Sequence, residues 1–65
     1  MKLHHMRHFD AVARHASLHG AARALGVAQS ALSRSIRELE HDLGVELLLR
    51  SARGVELTAA GERFL

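Results

Sequence analysis

The sequence predicts a mainly α fold, with a three-helix core, a two-stranded β-hairpin and the start of one more helix. Three observations predict it. Apolar residues recur at helical spacing in three successive segments, Gly26 and Gly44 punctuate the second and third, and two short β-prone runs flank Ser51-Ala52-Arg53-Gly54.

Composition bounds the rest. A chain of 65 residues holds one domain and a core of about a dozen side chains, near the lower limit for folding without staples. With no cysteine there is no disulfide framework, and no thiolate to hold a metal or attack a substrate. Nine Lys and Arg against seven Asp and Glu give a net charge of +2, and the six histidines add charge below about pH 6.5. No apolar run approaches the ~20 residues of a membrane span, and the opening Met1-Lys2-Leu3-His4-His5 lacks the apolar core of a secretion signal, so a soluble, intracellular chain is expected.

Leu3, Met6, Phe9, Val12 and Ala13 predict an amphipathic first helix from Leu3 to about His15. Ser17 can cap a second helix whose inward positions are Leu18, Ala21, Ala22 and Leu25, the alanines allowing close helix approach. Gly26 suits the left-handed residue that ends it, and Val27 plugs the turn. A third helix over 29–43 places Leu32, Ile36, Leu39 and Leu43 on one stripe, with Gln29, Ser30, Ser33, Arg34 and Arg37 on the adjoining wet face.

That wet face carries the chemistry of base reading. Gln pairs with adenine N6/N7, Arg with guanine O6/N7 or a phosphate, and Ser with either. Two short helices with a glycine turn between them, the second carrying such a face, are the layout of a DNA-reading helix-turn-helix. Glu38, Glu40 and Asp42 lie in the C-terminal half of this helix, where phosphates would repel them, so only its first half is expected in the groove. Val45 to Leu49 and Val55 to Thr58 read as two strands, with Arg50 and Arg53 near the hairpin tip, placed for phosphate contact or minor-groove insertion. Thr58 can cap a fourth helix through Ala59, Ala60, Glu62, Phe64 and Leu65.

In FDAVARHASL, AARALGVAQSALSRSIRELEHDLGVELL and RSARGVELTAAGERFL the chain resembles the N-terminal winged helix-turn-helix of LysR-type transcriptional regulators, over essentially its whole length. The resemblance implies a winged helix-turn-helix over 1–58 and the start of a truncated linker helix over 59–65. It implies sequence-specific binding of double-stranded DNA, with helix 29–43 in the major groove and wing 45–58 at the minor groove. Gln29, Ser33 and Arg34 match residues that contact bases and flanking phosphates, with Ala28 and Ser30 at the helix entrance. Arg53 matches the wing arginine and Arg50 its neighbouring backbone contact. Ser17, Arg23 and Arg37 are further phosphate contacts or solvated side chains. Phe64 and Leu65 fall in the family's dimerising linker helix, so a homodimer on a pseudo-palindromic operator is implied, in the cytoplasm of a bacterium and associated with its nucleoid. A small-molecule effector would enter only through a missing C-terminal domain, and no cofactor is implied. The chain departs from the family at Ser30, where many members have proline, at Ala28, which lacks a capping hydroxyl, and at Leu48, which replaces a common phenylalanine.

The rival readings rest on less. His4 and His8 stand four apart on a predicted helix, a spacing that brings two imidazoles to one metal, but the nearest carboxylate in sequence, Asp10, falls on another side, and no metal site is assigned. Ser30, Ser33 and Ser35 lack a nucleophile elbow, so no enzyme is read here. A protein-interaction or RNA module on the same scaffold is disfavoured because the two aromatic residues, Phe9 and Phe64, are not on a wet face.

Overall fold

A computed structural model describes all 65 residues and contains α1 (Leu3–His15), α2 (Leu18–Leu25), α3 (Gln29–Leu43), β1 (Leu48–Ser51), β2 (Gly54–Leu57) and α4 (Ala59–Phe64). The caps follow the sequence signals. Ser17 Oγ accepts the Gly20 N–H at 3.0 Å, Thr58 Oγ1 accepts the Gly61 N–H at 2.9 Å, and Gly26 and Gly44 both end their helices in left-handed geometry. The two helices of the predicted motif therefore lie where expected.

The core comprises Phe9 and Val12 of α1, Ala21 and Ala22 of α2, Leu32, Ile36 and Leu39 of α3, Leu47, and Leu48 and Val55 of the hairpin. The two alanines let α2 come close to its neighbours, so α1, α2 and α3 all pack on one another. Three expected inward positions are corrected, two of them in α1. Leu3 is 75% exposed and Met6 39%, while His5 is buried, so the inner line of α1 runs His5, Phe9, Val12. The rotation has a polar cause: His5 Nε2 lies 3.0 Å from Glu38 Oε1, and His8 Nδ1 lies 2.8 Å from Ser35 Oγ, which fastens α1 to α3 through hydrogen bonds. Leu25 is 39% exposed because it closes α2 beside the turn, and Val27 packs against the core in its place.

The hairpin is also shifted from its expected place. β1 pairs antiparallel with β2 in the register Leu48↔Leu57, Leu49↔Glu56, Arg50↔Val55 and Ser51↔Gly54, so Ala52 and Arg53 form the turn. Residues 45–47 are not strand because their backbone is engaged elsewhere. The Val45 N–H bonds the Glu40 carbonyl, and the N–H groups of Leu47 and Leu48 reach Glu40 Oε2 at 2.8 and 3.2 Å. At its other end the hairpin abuts α1: the Val55 N–H donates to the Ala16 carbonyl, and a Cβ on Gly54 would stand 2.8 Å from that oxygen, at a φ of 122° that a side chain rarely adopts.

Two stability predictions follow from these polar ties. Glu40→Ala leaves two N–H groups without their acceptor and should cost about 2 kcal/mol in urea unfolding, with Glu40→Gln costing less because one acceptor oxygen remains; equal stability of Glu40→Ala and the parent would refute the tie. The His8 imidazole is held below its ordinary pKa of 6.5, first by burial and then by the charges of His4, His5 and Arg7. Its contribution is thus full above 6.5 and erodes as the pH falls through the lowered folded value, because the unfolded chain takes the proton first. His8→Gln should therefore lose less melting temperature than the parent between about pH 7.5 and about pH 5.5, and equal losses would remove His8 from this account.

Candidate nucleic-acid interface

Helical periodicity sorts the side chains of α3 into two faces. Leu32, Ser35, Ile36 and Leu39 are buried, while Gln29, Ser30, Arg34 and Arg37 are exposed and Ser33 is half-buried. Ala28 stands at the N-cap, exposed and without a capping side chain, its carbonyl accepting the Leu32 N–H at 3.1 Å. The first N–H groups of α3 are consequently left without a side-chain acceptor from that cap.

Three shallow grooves show which predicted residues the fold assembles. One, between the starts of α2 and α3 and the hairpin, is lined by Ser17, His19, Gln29, Arg50 and Ser51 among others. A second runs along α3 and holds Ser30, Arg34 and Arg37 together with Glu38, His41 and Asp42. A third, between α3 and β1, holds Arg37 and Arg50 together with Glu40 and Glu46. Arg37 and Arg50 thus join the helix face to the hairpin in one continuous surface. Arg53 stands apart, exposed in the turn, where its N–H donates to Ser51 Oγ at 3.3 Å. Ala28 and Ser33 line none of the grooves. Phe64 is half-buried with its ring 5.7 Å from that of Phe9, and Leu65 is exposed.

The charges are partitioned along α3. Each carboxylate of the helix has a partner: Glu38 meets His5, Glu40 accepts the Leu47 and Leu48 N–H groups, and Asp42 meets the Met1 amino group at 2.9 Å. That amino group holds the Asp42 carboxyl below its usual pKa through a direct hydrogen bond. Arg14 is the arginine that finds a carboxylate, Asp10 at 3.0 Å, so Arg34, Arg37, Arg50 and Arg53 keep their guanidinium groups free of intramolecular ion pairs. Free cations beside an uncharged, hydrogen-bonding helix start suit an anionic polymer whose edges also offer donors and acceptors.

Sequence reasoning did not single out His19. It lies exposed two residues after the Ser17 cap, and only the docking of the hairpin brings it into the same groove as Gln29 and Arg50. Ser35 and His8 form a Ser–His hydrogen bond, but Ser35 is 4% exposed and inaccessible to a substrate. No helix is long and apolar enough to cross a membrane.

The profile of bacterial regulatory helix-turn-helix proteins of the lysR family matches residues 3–62. The chain is 50% identical over 64 residues to the HTH-type transcriptional regulator BudR of Klebsiella aerogenes, covering 98% of this chain and 45% of BudR. It is 51% identical over 65 residues to the HTH-type transcriptional regulator AlsR of Bacillus subtilis (strain 168), covering 100% of this chain and 22% of AlsR. The chain therefore spans less than half the length of these relatives. Among solved structures it resembles the CbnR DBD–DNA complex at a TM-score of 0.97 and 48% identity, covering 100% of this chain and 75% of that one. It also resembles the BenM DBD in complex with catB site 1 DNA, at a TM-score of 0.95 and 45% identity, covering 98% of this chain and 72% of that one.

Proposed function

Since the chain belongs to the lysR family of bacterial regulatory helix-turn-helix proteins, we propose that it binds double-stranded DNA sequence-specifically and thereby regulates transcription. The observation that carries this reading is the division of α3: a packed stripe, a set of engaged carboxylates, and an exposed N-terminal half bearing Gln29, Ser30, Arg34 and Arg37. In this reading the N-terminal half of α3 enters the major groove, where Gln29 and Arg34 meet base edges, and Ala28, Ser30 and Ser33 line the approach. Arg37 and Arg50 meet flanking phosphates, and Arg53 at the hairpin turn reaches the neighbouring minor groove.

Dimensions favour a pair of copies. The Cα extents are 27 × 26 × 16 Å, less than the roughly 34 Å of one DNA turn that separates successive major-groove faces, so one copy reads one half-site. Two copies related by a two-fold axis would match a pseudo-palindromic operator, joined through a linker helix that begins at 59–65 and follows the reading domain of 1–58. A small-molecule effector would act through a C-terminal domain, and the protein would work in the cytoplasm at the bacterial nucleoid. The curated relatives are regulators by name, and none of these chemistries calls for an enzyme.

Selection from randomised duplexes at two salt concentrations tests the reading. Enrichment of a half-site sequence is expected, and uniform binding to every duplex would leave only an electrostatic contact. On the selected site Gln29→Ala should lose about 1 to 3 kcal/mol of binding and little on random DNA, and equal losses on both would remove Gln29 from base reading. Arg53→Ala should weaken both and lower the salt slope by about one, since a minor-groove cation also displaces counterions, so unchanged binding and slope would take Arg53 off the DNA.

A further inference from the structure

The histidines of α1 are brought to a carboxylate that lies far from them in sequence. His4, His5 and Glu38 each offer a ligand atom, and the three atoms lie within 4.8 Å of one another. His5 Nε2 and Glu38 Oε1 are already 3.0 Å apart, close to the roughly 3.3 Å that separates two donors bound tetrahedrally at about 2.0–2.1 Å. His4 completes the group from the neighbouring position, its ring centroid 4.4 Å from that of His5. His4 and Glu38 are exposed and free to adjust, whereas His5 is buried and held in place.

We propose that His4, His5 and Glu38 form a site for a divalent transition metal of the zinc class, bridging α1 to α3. Two imidazoles and one carboxylate are the donor set of open zinc sites, with water in the fourth position. Imidazole selects against magnesium and calcium, which prefer oxygen ligands. His8 is not the partner that its i, i+4 spacing from His4 suggests: its ring is fastened to Ser35 Oγ, 2.8 Å from Nδ1, and the ligand atoms that converge are those of His4, His5 and Glu38. The proton balance is simple. In the metal-free protein His5 Nδ1 accepts the Lys2 N–H at 3.2 Å, so the ring proton sits on Nε2 and faces Glu38. The metal takes the place of that proton, which transfers through solvent to Nδ1. The Lys2 N–H then turns to water, which is available because Lys2 is exposed. The consequence is a clamp between the first helix and the helix whose other half carries Gln29 and Arg34, and it stands whether or not those residues read DNA.

Calorimetric titration of the 65-residue chain with zinc chloride at neutral pH, paired with thermal melts, tests the site. One equivalent should bind at micromolar concentration and raise the melting temperature, with reversal by chelator and no effect of magnesium. His4→Ala and Glu38→Gln should each weaken binding by about tenfold or more. Both positions are exposed, and Gln at 38 keeps an acceptor for His5, so the metal-free variants should melt near the parent. His15→Ala and His19→Ala should bind as the parent does. Parental affinity in either His4→Ala or Glu38→Gln overturns the site, as does an absence of zinc binding. Loss of binding in His8→Ala with retention in Glu38→Gln also overturns it, assigning the metal to the histidine pair of α1 alone.

Discussion

The peptide groups of Leu47 hold three parts of this fold in one place. Its side chain is fully buried, its N–H donates to the Glu40 carboxylate of α3, and its carbonyl accepts the Thr58 N–H that follows β2. Gly61 of α4 rests so close to the same carbonyl that any Cβ there would collide with Leu47 backbone atoms. Helix, hairpin and the start of the last helix therefore converge on a single residue that belongs to no regular element. Because α3 ends at Gly44 only three residues earlier, the direction in which the hairpin leaves the helix is set by this junction rather than by the hairpin itself.

That junction is what turns two separate basic features into one surface. Arg50 lies on β1 and Arg37 on α3, thirteen residues apart in sequence, yet they line the same groove. Glu40 is central to this outcome in two ways. Its carboxylate fixes the hairpin, and by doing so it is spent on Leu47 and Leu48 instead of standing free among the arginines. Glu38 and Asp42 are occupied in the same manner by His5 and the Met1 amino group. A net charge of +2 is thus compatible with arginines that face solvent unpaired, since the α3 carboxylates lining the same grooves as Arg34, Arg37 and Arg50 are each engaged by a neighbour.

Helical periodicity makes most of the architecture legible in the sequence alone. The bounds of α3, the caps at Ser17 and Thr58 and the glycine stops at 26 and 44 depend on neighbours within one or two turns, and each is found as expected. What could not be read depends on contacts between distant residues. Nothing in the run Val45-Glu46-Leu47 reveals that Glu40 will occupy the N–H groups a strand would need, so the sequence pattern starts the first strand three residues before Leu48. Nothing in the spacing of α1 reveals that Glu38 and Ser35, 33 and 27 residues away from their partners, will draw His5 and His8 toward α3 and leave Leu3 and Met6 outside. The exposed polar face of α3 is visible in the sequence because one helix carries it; its grouping with Arg50 and His19 is not, since that needs the docked hairpin.

The polar seam between α1 and α3 has its own logic in so small a protein. Ten buried apolar side chains leave little redundancy, and apolar contacts alone discriminate weakly between neighbouring registers of two packed helices. Hydrogen bonds are more exacting. Sliding α1 by one residue would strand the buried His5 and Ser35 without partners, a cost that a shifted apolar contact does not carry. The same seam runs along the back of the helix whose exposed half bears Gln29, Ser30 and Arg34, so the residues that fix the register of the first helix also fix the angle at which the third presents its free face.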